Sequence, residues 1–153
     1  MTLLTMVSGL GFFVITLEAS NFDMSYPATY FTNITTQNVP NAGTDDNVTI
    51  QYLGEEGNVT FHFENFGKNY FKRGQLNKFK NNTIYVGKVQ KARLYIPGSS
   101  TFWSVEYVSL EVFLFKDLYF TDFRYQFDES NFTLIDGWIT LNVKAAENST
   151  ITH

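Results

Sequence analysis

Short runs in which apolar and polar residues alternate recur along the chain, and turn-forming residues separate them. One such run is 48–52, VTIQY, and another is 58–64, NVTFHFE. Between them lies 54–57, GEEG, whose two glycines favour a tight hairpin. Alternation with a period of two places successive side chains on opposite faces of a strand. The pattern therefore predicts an all-β fold of half-buried antiparallel strands.

Eight segments show a strand pattern, and their spacing favours an eight-stranded antiparallel β-sandwich. The predicted strands are 28–37, 48–52, 58–64, 83–86, 89–96, 105–115, 118–127 and 138–143. Glu106 and Tyr107 interrupt the alternation that starts at Val105, which indicates a β-bulge. His62 falls on a polar strand face, where we expect a solvated side chain.

The chain has 153 residues, enough for one domain with a substantial core. Aromatic residues make up 18%, with 16 Phe and 9 Tyr, and such rings fit the interior of a two-layer β fold. Because the chain contains no Cys, this core has to stabilise the fold without disulfides. We expect the domain at 21–143, followed by a polar, loose tail at 144–153.

Residues 3–17 are apolar apart from Thr and Ser, carry no charge and are followed by the small residue Ala19. This is typical of a secretory signal peptide, predicted at 1–20, although no Lys or Arg lies near Met1. A buried strand or a short membrane anchor is the alternative. Six Asn-x-Ser/Thr sequons support a secreted glycoprotein. They begin at Asn33, Asn47, Asn58, Asn81, Asn131 and Asn148.

The segment 41–47, NAGTDDN, connects the first two predicted strands of the domain. Gly43 can adopt a positive φ, and the Asn and Asp side chains can accept hydrogen bonds from nearby backbone N–H groups. The same oxygens are ligands that calcium prefers. The segment therefore predicts either a capped turn or part of a calcium site.

A long interval between Glu64 and Glu106 contains no acidic residue but most of the basic ones. They are Lys68, Lys72, Arg73, Lys78, Lys80, Lys88, Lys91 and Arg93. Because the whole chain has a net charge of −4, this asymmetry predicts one electropositive face. Near an anionic bilayer each basic residue contributes about 1 kcal/mol, less at high salt. The acidic overall balance argues against a nucleic-acid partner.

Aromatic residues accompany these charges and are candidates for insertion into the interfacial region of a membrane. The predicted membrane- or partner-binding residues are Phe66, Lys68, Tyr70, Lys72, Arg73, Lys78, Lys80 and Phe102. Phe66 and Phe102 are the stronger insertion candidates, whereas core packing is the alternative for Tyr70. A glycan on Asn81, inside the basic interval, would oppose docking to a bilayer.

Several motifs, in order over about residues 28–143, resemble those of the PLAT domain family, also called LH2 or lipoxygenase homology domains. The segment 42–48, AGTDDNV, is similar to the family's first-turn signature, and Phe71-x-Arg73-Gly74 followed by Phe79 resembles its Phe-x-Arg-Gly segment. Further similarities are Val86-Gly87-x-Val89-x-Lys91-x-Arg93, Trp103-x-Val105-Glu106-x-Val108-x-Leu110, and the aromatic pair Phe127 and Trp138. The resemblance implies an eight-stranded β-sandwich that binds membranes or proteins without an active site, with Trp103 in its core.

The resemblance also implies where calcium would bind, because some family members hold it between the first turn and the loop after the third strand. Here the corresponding ligands are Asn41, Gly43, Thr44, Asp45, Glu64, Asn65, Gly67 and Asn69. Asn41 and Asn69 stand where calcium-binding relatives tend to carry acids, which weakens binding. We therefore favour a structural role for both loops, with weak calcium binding as the alternative.

No catalytic pattern is present, because the sequence has no Cys, no paired histidines and no Gly-x-Ser-x-Gly motif. We predict a secreted, non-catalytic module that binds an anionic lipid surface or lipid-associated proteins, with calcium as its only candidate cofactor. An extracellular protein-interaction module without lipid binding is the alternative. A lipocalin-like carrier ranks third, since the chain lacks a Gly-x-Trp near the first strand and any disulfide.

Overall fold

The structure, a computed structural model, describes residues 4–8, 11–15, 25–97, 102–116, 119–128, 130–135 and 137–152. These residues form the strands β1 (Leu4–Ser8), β2 (Gly11–Ile15), β3 (Pro27–Thr36), β4 (Val48–Gly54), β5 (Gly57–Phe63), β6 (Leu76–Ile84), β7 (Val89–Ile96), β8 (Trp103–Lys116), β9 (Tyr119–Phe127), β10 (Phe132–Leu134) and β11 (Gly137–Thr152). Among them, no helix is long and apolar enough to cross a lipid bilayer.

Strands β3 to β11 fold into an antiparallel sandwich of two layers, as predicted. Their hydrogen-bonded order is β5-β4-β7-β11-β9-β8-β3-β6, with β10 paired on β8. Strand β11 belongs to both layers, because it pairs with β7 as far as Asn142 and with β9 from Val143 onward. We call the two layers the β4 layer (β5, β4, β7 and the start of β11) and the β3 layer (β6, β3, β8, β9 and the rest of β11).

Aromatic rings fill the space between the layers. Tyr30 of β3 stacks on Tyr52 of β4 with ring centroids 6.1 Å apart. Phe61 lies 5.5 Å from Tyr30, and Phe127 lies 6.3 Å from Tyr52. The hydroxyl groups of Tyr52 and Thr32 share a buried hydrogen bond of 2.9 Å. In the described residues the interior is thus a packed aromatic core, unlike the ligand cavity of a lipocalin-like carrier.

Two expectations for β8 are confirmed. Thr35 pairs with Tyr107 but Thr36 pairs with Val105, so Glu106 is the extra residue of a β-bulge. Trp103 is fully buried, and its Nε1 donates to Thr36 Oγ1 at 3.0 Å. Trp103 therefore anchors the start of β8 in the core.

Two strands extend further than the sequence predicted. Strand β6 begins at Leu76 rather than at 83, and its inward positions include Asn77 and Asn81, so no apolar alternation marks it. The tail expected to be loose is instead part of β11, which pairs with β9 as far as Thr152. Backbone hydrogen bonds do not require apolar side chains, so a polar composition did not reveal this strand.

Strands β1 and β2 form a separate two-stranded sheet, with Leu4 opposite Ile15. Both lie within the predicted signal peptide, and the rest of that segment lies outside the described residues. Removal of residues 1–20 stays a prediction.

The sandwich has two ends. At the loop end lie the connections β3–β4 (37–47), β5–β6 (64–75), β7–β8 and β10–β11. At the hairpin end lie the β4–β5 and β8–β9 hairpins and the turn at 85–88. Strand β3 runs from the hairpin end to the loop end, and its ten residues span about 30 Å.

Candidate functional site

The two loops that the sequence proposed for calcium lie side by side at the loop end, and Asn65 joins them. The Asn65 Nδ2 donates to the Thr44 carbonyl at 2.9 Å, and its Oδ1 accepts from the Tyr70 N–H at 2.8 Å. The Asn65 backbone N–H donates to Asn47 Oδ1 at 2.9 Å. Asn65 is only 4% exposed, so water competes little for these bonds. Both polar atoms of its side chain are used by the protein itself.

Gly43 allows the first loop to approach the backbone that follows β5. A Cβ at this position would lie 3.0 Å from the Phe71 carbonyl oxygen and 3.2 Å from the Arg73 nitrogen. The Thr44 N–H donates to the same Phe71 carbonyl at 3.2 Å. Phe71 has a positive φ of 55°, and its N–H donates to the buried Asn77 Oδ1 at 2.8 Å. A glycine and two buried amides thus fix how the loops meet.

The carboxylates of the first loop also contact protein groups. Lys72 forms an ion pair with Asp45 Oδ1. Thr44 Oγ1 accepts from the Asp46 N–H at 3.1 Å and donates to Asp46 Oδ2 at 3.4 Å. The turn is therefore capped by Thr44, and a lysine ammonium supplies the positive charge beside Asp45.

Two of the predicted calcium ligands already bond to other protein groups. Calcium takes about six to eight oxygen ligands, several of them charged. Asn65 and Asp45 bond to the protein instead, and no three His, Cys, Asp or Glu side chains of the described residues form a metal-binding group. Four other ligands that the resemblance implies are exposed on these loops, and they are Asn41, Glu64, Gly67 and Asn69. The geometry favours the structural interpretation of these loops.

Four connections at the loop end each present one exposed apolar side chain. Phe66 is 95% exposed, Ile135 70%, Val39 45% and Phe102 44%. We call these four side chains the apolar tips. The sequence singled out Phe66 and Phe102 but missed Val39 and Ile135, which are single aliphatic residues without a distinguishing pattern. Only the fold shows that they belong to one end of the molecule.

Basic residues accompany the apolar tips on the β5–β6 connection. Lys68 and Arg73 are exposed and Lys72 is half-buried. The Arg73 Nε donates to Asn38 Oδ1 at 3.0 Å, which ties this connection to the β3–β4 loop. Tyr70 is half-buried and packs edge-on against Phe79 with ring centroids 5.3 Å apart. Tyr70 thus packs against the core, which is the alternative that the sequence analysis gave for this residue.

The sequence profile of the PLAT/LH2 domain family matches residues 30–122, which include both loops. The chain belongs to the PLAT/LH2 domain family. This confirms the resemblance derived from the motifs. No curated protein shows a significant sequence match to the chain.

Solved structures share the fold of this PLAT domain. The LOX variant Delta413-417:GS matches with a TM-score of 0.61 and 20% identity over 77% of this chain and 16% of that chain. Coral 8R-lipoxygenase, described as activated by calcium via a C2-like domain, matches with a TM-score of 0.57 and 19% identity over 75% of this chain and 17% of that one. The alpha toxin of Clostridium absonum matches with a TM-score of 0.52 and 22% identity over 82% of this chain and 33% of the toxin. The chain spans a minor part of each, and the likeness shows the fold alone.

The basic residues of the PLAT domain do not share one electropositive face, contrary to our expectation. Lys78 and Lys80 project from the outer surface of the β3 layer, where they alternate with inward residues of β6. Lys91 and Arg93 belong to β7 in the β4 layer, and Arg93 lies 4.7 Å from the Trp138 ring. Basic residues of one sequence interval thus fall on opposite layers, which a charge count along the chain does not reveal.

The predicted glycosylation positions differ in environment. Exposed positions are Asn47, Asn58, Asn131 and Asn148. Asn33 is half-buried, and its Nδ2 donates to Ser109 Oγ at 3.3 Å on the outer surface of the β3 layer. The Nδ2 of Asn81, the atom that would carry a glycan, is buried and has no hydrogen-bond partner among the described residues. The folded PLAT domain therefore opposes a glycan on Asn81, which weakens the objection to membrane docking.

Proposed function

We propose that this PLAT domain binds anionic lipid surfaces through its loop end. The observation that carries the proposal is the set of apolar tips, one on each of four connections at the same end of the sandwich. Side chains that protrude from loops can enter the interfacial region while the strands stay in water. Transfer of a fully exposed Phe side chain out of water contributes about 1.5–3 kcal/mol.

Electrostatic attraction supports the same orientation. Lys68, Lys72 and Arg73 lie on the connection that carries Phe66. Each basic residue near an anionic surface contributes about 1 kcal/mol, and salt reduces this contribution. Lys72 contributes less than the other two, because Asp45 already pairs with it. Apolar insertion and charge therefore act at the same end of the domain.

In this proposal the loops reach their binding geometry without calcium. Asn65 already connects them, and Lys72 provides a cation beside Asp45. The second candidate is calcium-dependent binding, favoured by the description of coral 8R-lipoxygenase as activated by calcium via a C2-like domain. Metal dependence of vesicle binding separates the two mechanisms.

The proposal includes a secreted, glycosylated protein whose PLAT domain is non-catalytic. The uncharged apolar stretch at 3–17 supports export, and the exposed sequon asparagines Asn47, Asn58, Asn131 and Asn148 support glycosylation. Of these positions, Asn58 on β5 and Asn148 on β11 lie away from the apolar tips, whereas Asn47 ends the β3–β4 connection at the loop end. Peptide mapping of the protein secreted from eukaryotic cells tests both points, through its N-terminus and its glycan-bearing asparagines.

Vesicle sedimentation tests the lipid proposal. We expect the chain to bind vesicles of phosphatidylcholine with about 30% phosphatidylserine, and to bind pure phosphatidylcholine about tenfold less tightly. Phe66→Ser should weaken binding about tenfold, whereas Phe115→Ser, which changes an exposed Phe at the hairpin end, should not. Binding that needs added calcium would select the second candidate, and absence of binding to every vesicle would remove the lipid proposal.

A further inference from the structure

Strand β11 has no partner along one of its two edges over its second half. It pairs with β7 only as far as Asn142, and from Val143 onward it pairs with β9. In the described part of the chain, no strand adjoins its other edge from Val143 to Thr152. We call this side of residues 143–152 the free edge. In an antiparallel pair, alternate residues direct their N–H and C=O groups away from the partner strand, so the free edge presents backbone groups that a further strand can bind.

The sandwich has another long edge, along β6, and the two edges differ in their side chains. The β6 edge carries the exposed Lys78 and Lys80, and lysines on an edge strand oppose pairing with further strands. From Ala145 to Thr152, by contrast, the sequence has no Lys, Arg or Pro. Its one charged residue, Glu147, lies opposite Arg124 of β9. The free edge therefore lacks the lysines and prolines that commonly protect an edge from pairing.

A cleft of about 450 Å³ lies beside the free edge, between β11 and the start of β7. Ala146 lies opposite Tyr125 of β9, and both line the cleft, so the inner side of the free edge faces it. The Tyr125 hydroxyl accepts a hydrogen bond from the Val89 N–H at 3.3 Å and so joins the two layers at the cleft. The apolar part of the lining is completed by Phe123 and Val143. Inward side chains of a strand on the free edge would enter this cleft.

The free edge and the cleft together specify the chemistry of an occupant. Backbone donors and acceptors at strand spacing are matched by another extended peptide, whereas a lipid or a sugar does not repeat that spacing. Alternate side chains of a strand share one face, so the cleft favours a segment with apolar residues at alternate positions.

A second copy of the chain fits the cleft poorly. When two β11 strands pair antiparallel, residues opposite each other point to the same side of the sheet. The second copy would therefore present Ala146, Asn148 and Thr150 on the cleft side. These side chains are small or polar and would leave the apolar lining largely without contacts.

We propose that the free edge of β11 binds an extended segment of a partner protein, which adds a strand to the β3 layer. The backbone of the segment pairs with residues 145–152, and its inward apolar side chains fill the cleft beside Val89 and Phe123. The residues of the free edge and the cleft are separate from the apolar tips, so this proposal does not depend on lipid binding.

The predicted glycosylation position Asn148 lies on the free edge and lines the cleft. A glycan on its side chain would take the space of the added strand. The proposal therefore makes Asn148 an exception among the exposed sequons, with no glycan in the secreted protein. Peptide mapping that finds Asn148 fully glycosylated would overturn the proposal, because a glycan would then cover this edge.

A ten-residue peptide with Val at alternate positions, and Ser or Gln between them, provides the probe. With the full chain labelled by ¹⁵N and made without glycans in bacteria, we expect the peptide to shift the backbone amide signals of Ala146, Asn148 and Thr150. At saturation, alternate amides of the free edge should exchange with solvent about tenfold more slowly. Shifts confined to other regions would overturn the proposal.

Two modified peptides test whether the contact is a strand ladder. One carries N-methyl groups on its odd-numbered amides and the other on its even-numbered amides, with the same side chains. Only one of these two sets can face β11, so one peptide should lose binding and the other should keep it. If both bound as the unmodified peptide does, the contact would not be a ladder and the proposal would be wrong.

Ala145 and Ala146 provide a matched pair of variants, because both are exposed and they lie on opposite faces of β11. Ala146 lines the cleft, whereas Ala145 lies opposite Gln126 on the outer surface. Ala146→Arg should weaken peptide binding about tenfold, because a charged side chain then occupies the apolar cleft, and Ala145→Arg should change it less than about threefold. Equal effects of the two variants would contradict the placement of the peptide.

Two further measurements separate this proposal from its rivals. Phe66→Ser should leave peptide binding unchanged, so failure of the lipid proposal would not alter this result. In sedimentation velocity we expect no dimer that forms through the free edge. A dimer that Ala146→Arg abolishes would assign the edge to a second copy of the chain and would overturn the proposal.

Discussion

Asn65 donates its side-chain amide to the carbonyl of Thr44 at 2.9 Å and so joins the two loops that calcium would have to bridge. The same side chain accepts from the Tyr70 N–H, in a site that is nearly closed to water. A buried amide that satisfies two backbone groups is difficult to replace, because its removal leaves both groups unpaired. The assembly of the loop end thus depends on one asparagine.

Asn65→Ala should lower the free energy of unfolding by about 2 kcal/mol, within the range of about 1–3 kcal/mol expected when buried polar groups lose their partner. Urea unfolding followed by Trp fluorescence measures this loss of stability. We expect a lower urea concentration at the midpoint, with an unchanged dependence of the free energy of unfolding on urea concentration. Asn82→Ala is the control, because Asn82 accepts an exposed bond from Thr29 Oγ1 at 2.9 Å and should change stability by less than about 0.5 kcal/mol. Equal effects of the two substitutions would show that Asn65 does not hold the loops.

Calcium should not stabilise the chain. A site with a dissociation constant of about 1 mM would, at about 5 mM calcium, add about 1 kcal/mol and raise the melting temperature by about 2–4 °C. We expect a shift below about 1 °C in thermal unfolding, with magnesium as the control cation. Lys72→Gln releases Asp45 from its ion pair and should increase the response to calcium if any residual site exists. A clear shift in the unsubstituted chain would establish the calcium alternative.

The strand pattern was predictable wherever one strand face is apolar. The range predicted at 89–96 coincides with β7 (Val89–Ile96), and the alternation of Val108 to Leu114 identified β8 together with its bulge. The start of β6 was not predictable, since Asn77 takes an inward position opposite Ile34. Alternation reports burial of apolar side chains, so a strand with amides on its inner face is not detected.

The site was only partly predictable, for a different reason. The resemblance to the family placed the two loops together, but it did not show that Asn65 bonds to Thr44 or that Lys72 pairs with Asp45. The apolar tips Val39 and Ile135 were missed because a single aliphatic residue in a loop belongs to no periodic pattern. Its exposure therefore cannot be inferred from the sequence. Their common location follows from long-range strand pairing, which a local pattern does not specify.

Alkaline pH should destabilise the core through its tyrosines. Burial raises the pKa of Tyr30 from 10.0 to about 12, and burial also raises the pKa of Tyr52. Between about pH 10 and 12 the unfolded chain loses these protons while the folded chain keeps them, so stability is complete below pH 10 and falls as the pH rises. In this range each such tyrosine lowers the free energy of unfolding by about 1.4 kcal/mol per pH unit. Urea unfolding at a series of pH values measures this slope.

Tyr52→Phe tests the assignment of that slope. The substitution removes one titrating group and leaves the buried Thr32 hydroxyl without its partner at 2.9 Å. We expect a loss of about 1–2 kcal/mol at neutral pH and a shallower decline above pH 10. Tyr119→Phe, at a position 48% exposed, is the control and should change neither quantity. An unchanged alkaline slope in Tyr52→Phe would contradict this origin of the pH dependence.

Ile135 and Val39 provide the strictest test of the lipid-binding orientation, because only the fold places them at the same end of the sandwich as Phe66. Ile135→Ser should weaken binding to anionic vesicles about five- to tenfold, and Val39→Ser somewhat less, in proportion to the apolar surface each exposes. Ile84→Ser is the matched control, since Ile84 is 48% exposed but lies at the hairpin end. Raising the salt concentration should weaken vesicle binding of the unsubstituted chain and of the three variants to a similar extent. The reason is that these substitutions leave Lys68, Lys72 and Arg73 in place. If Ile84→Ser lost as much affinity as Ile135→Ser, the domain would not dock through its loop end, and the apolar tips would need another explanation.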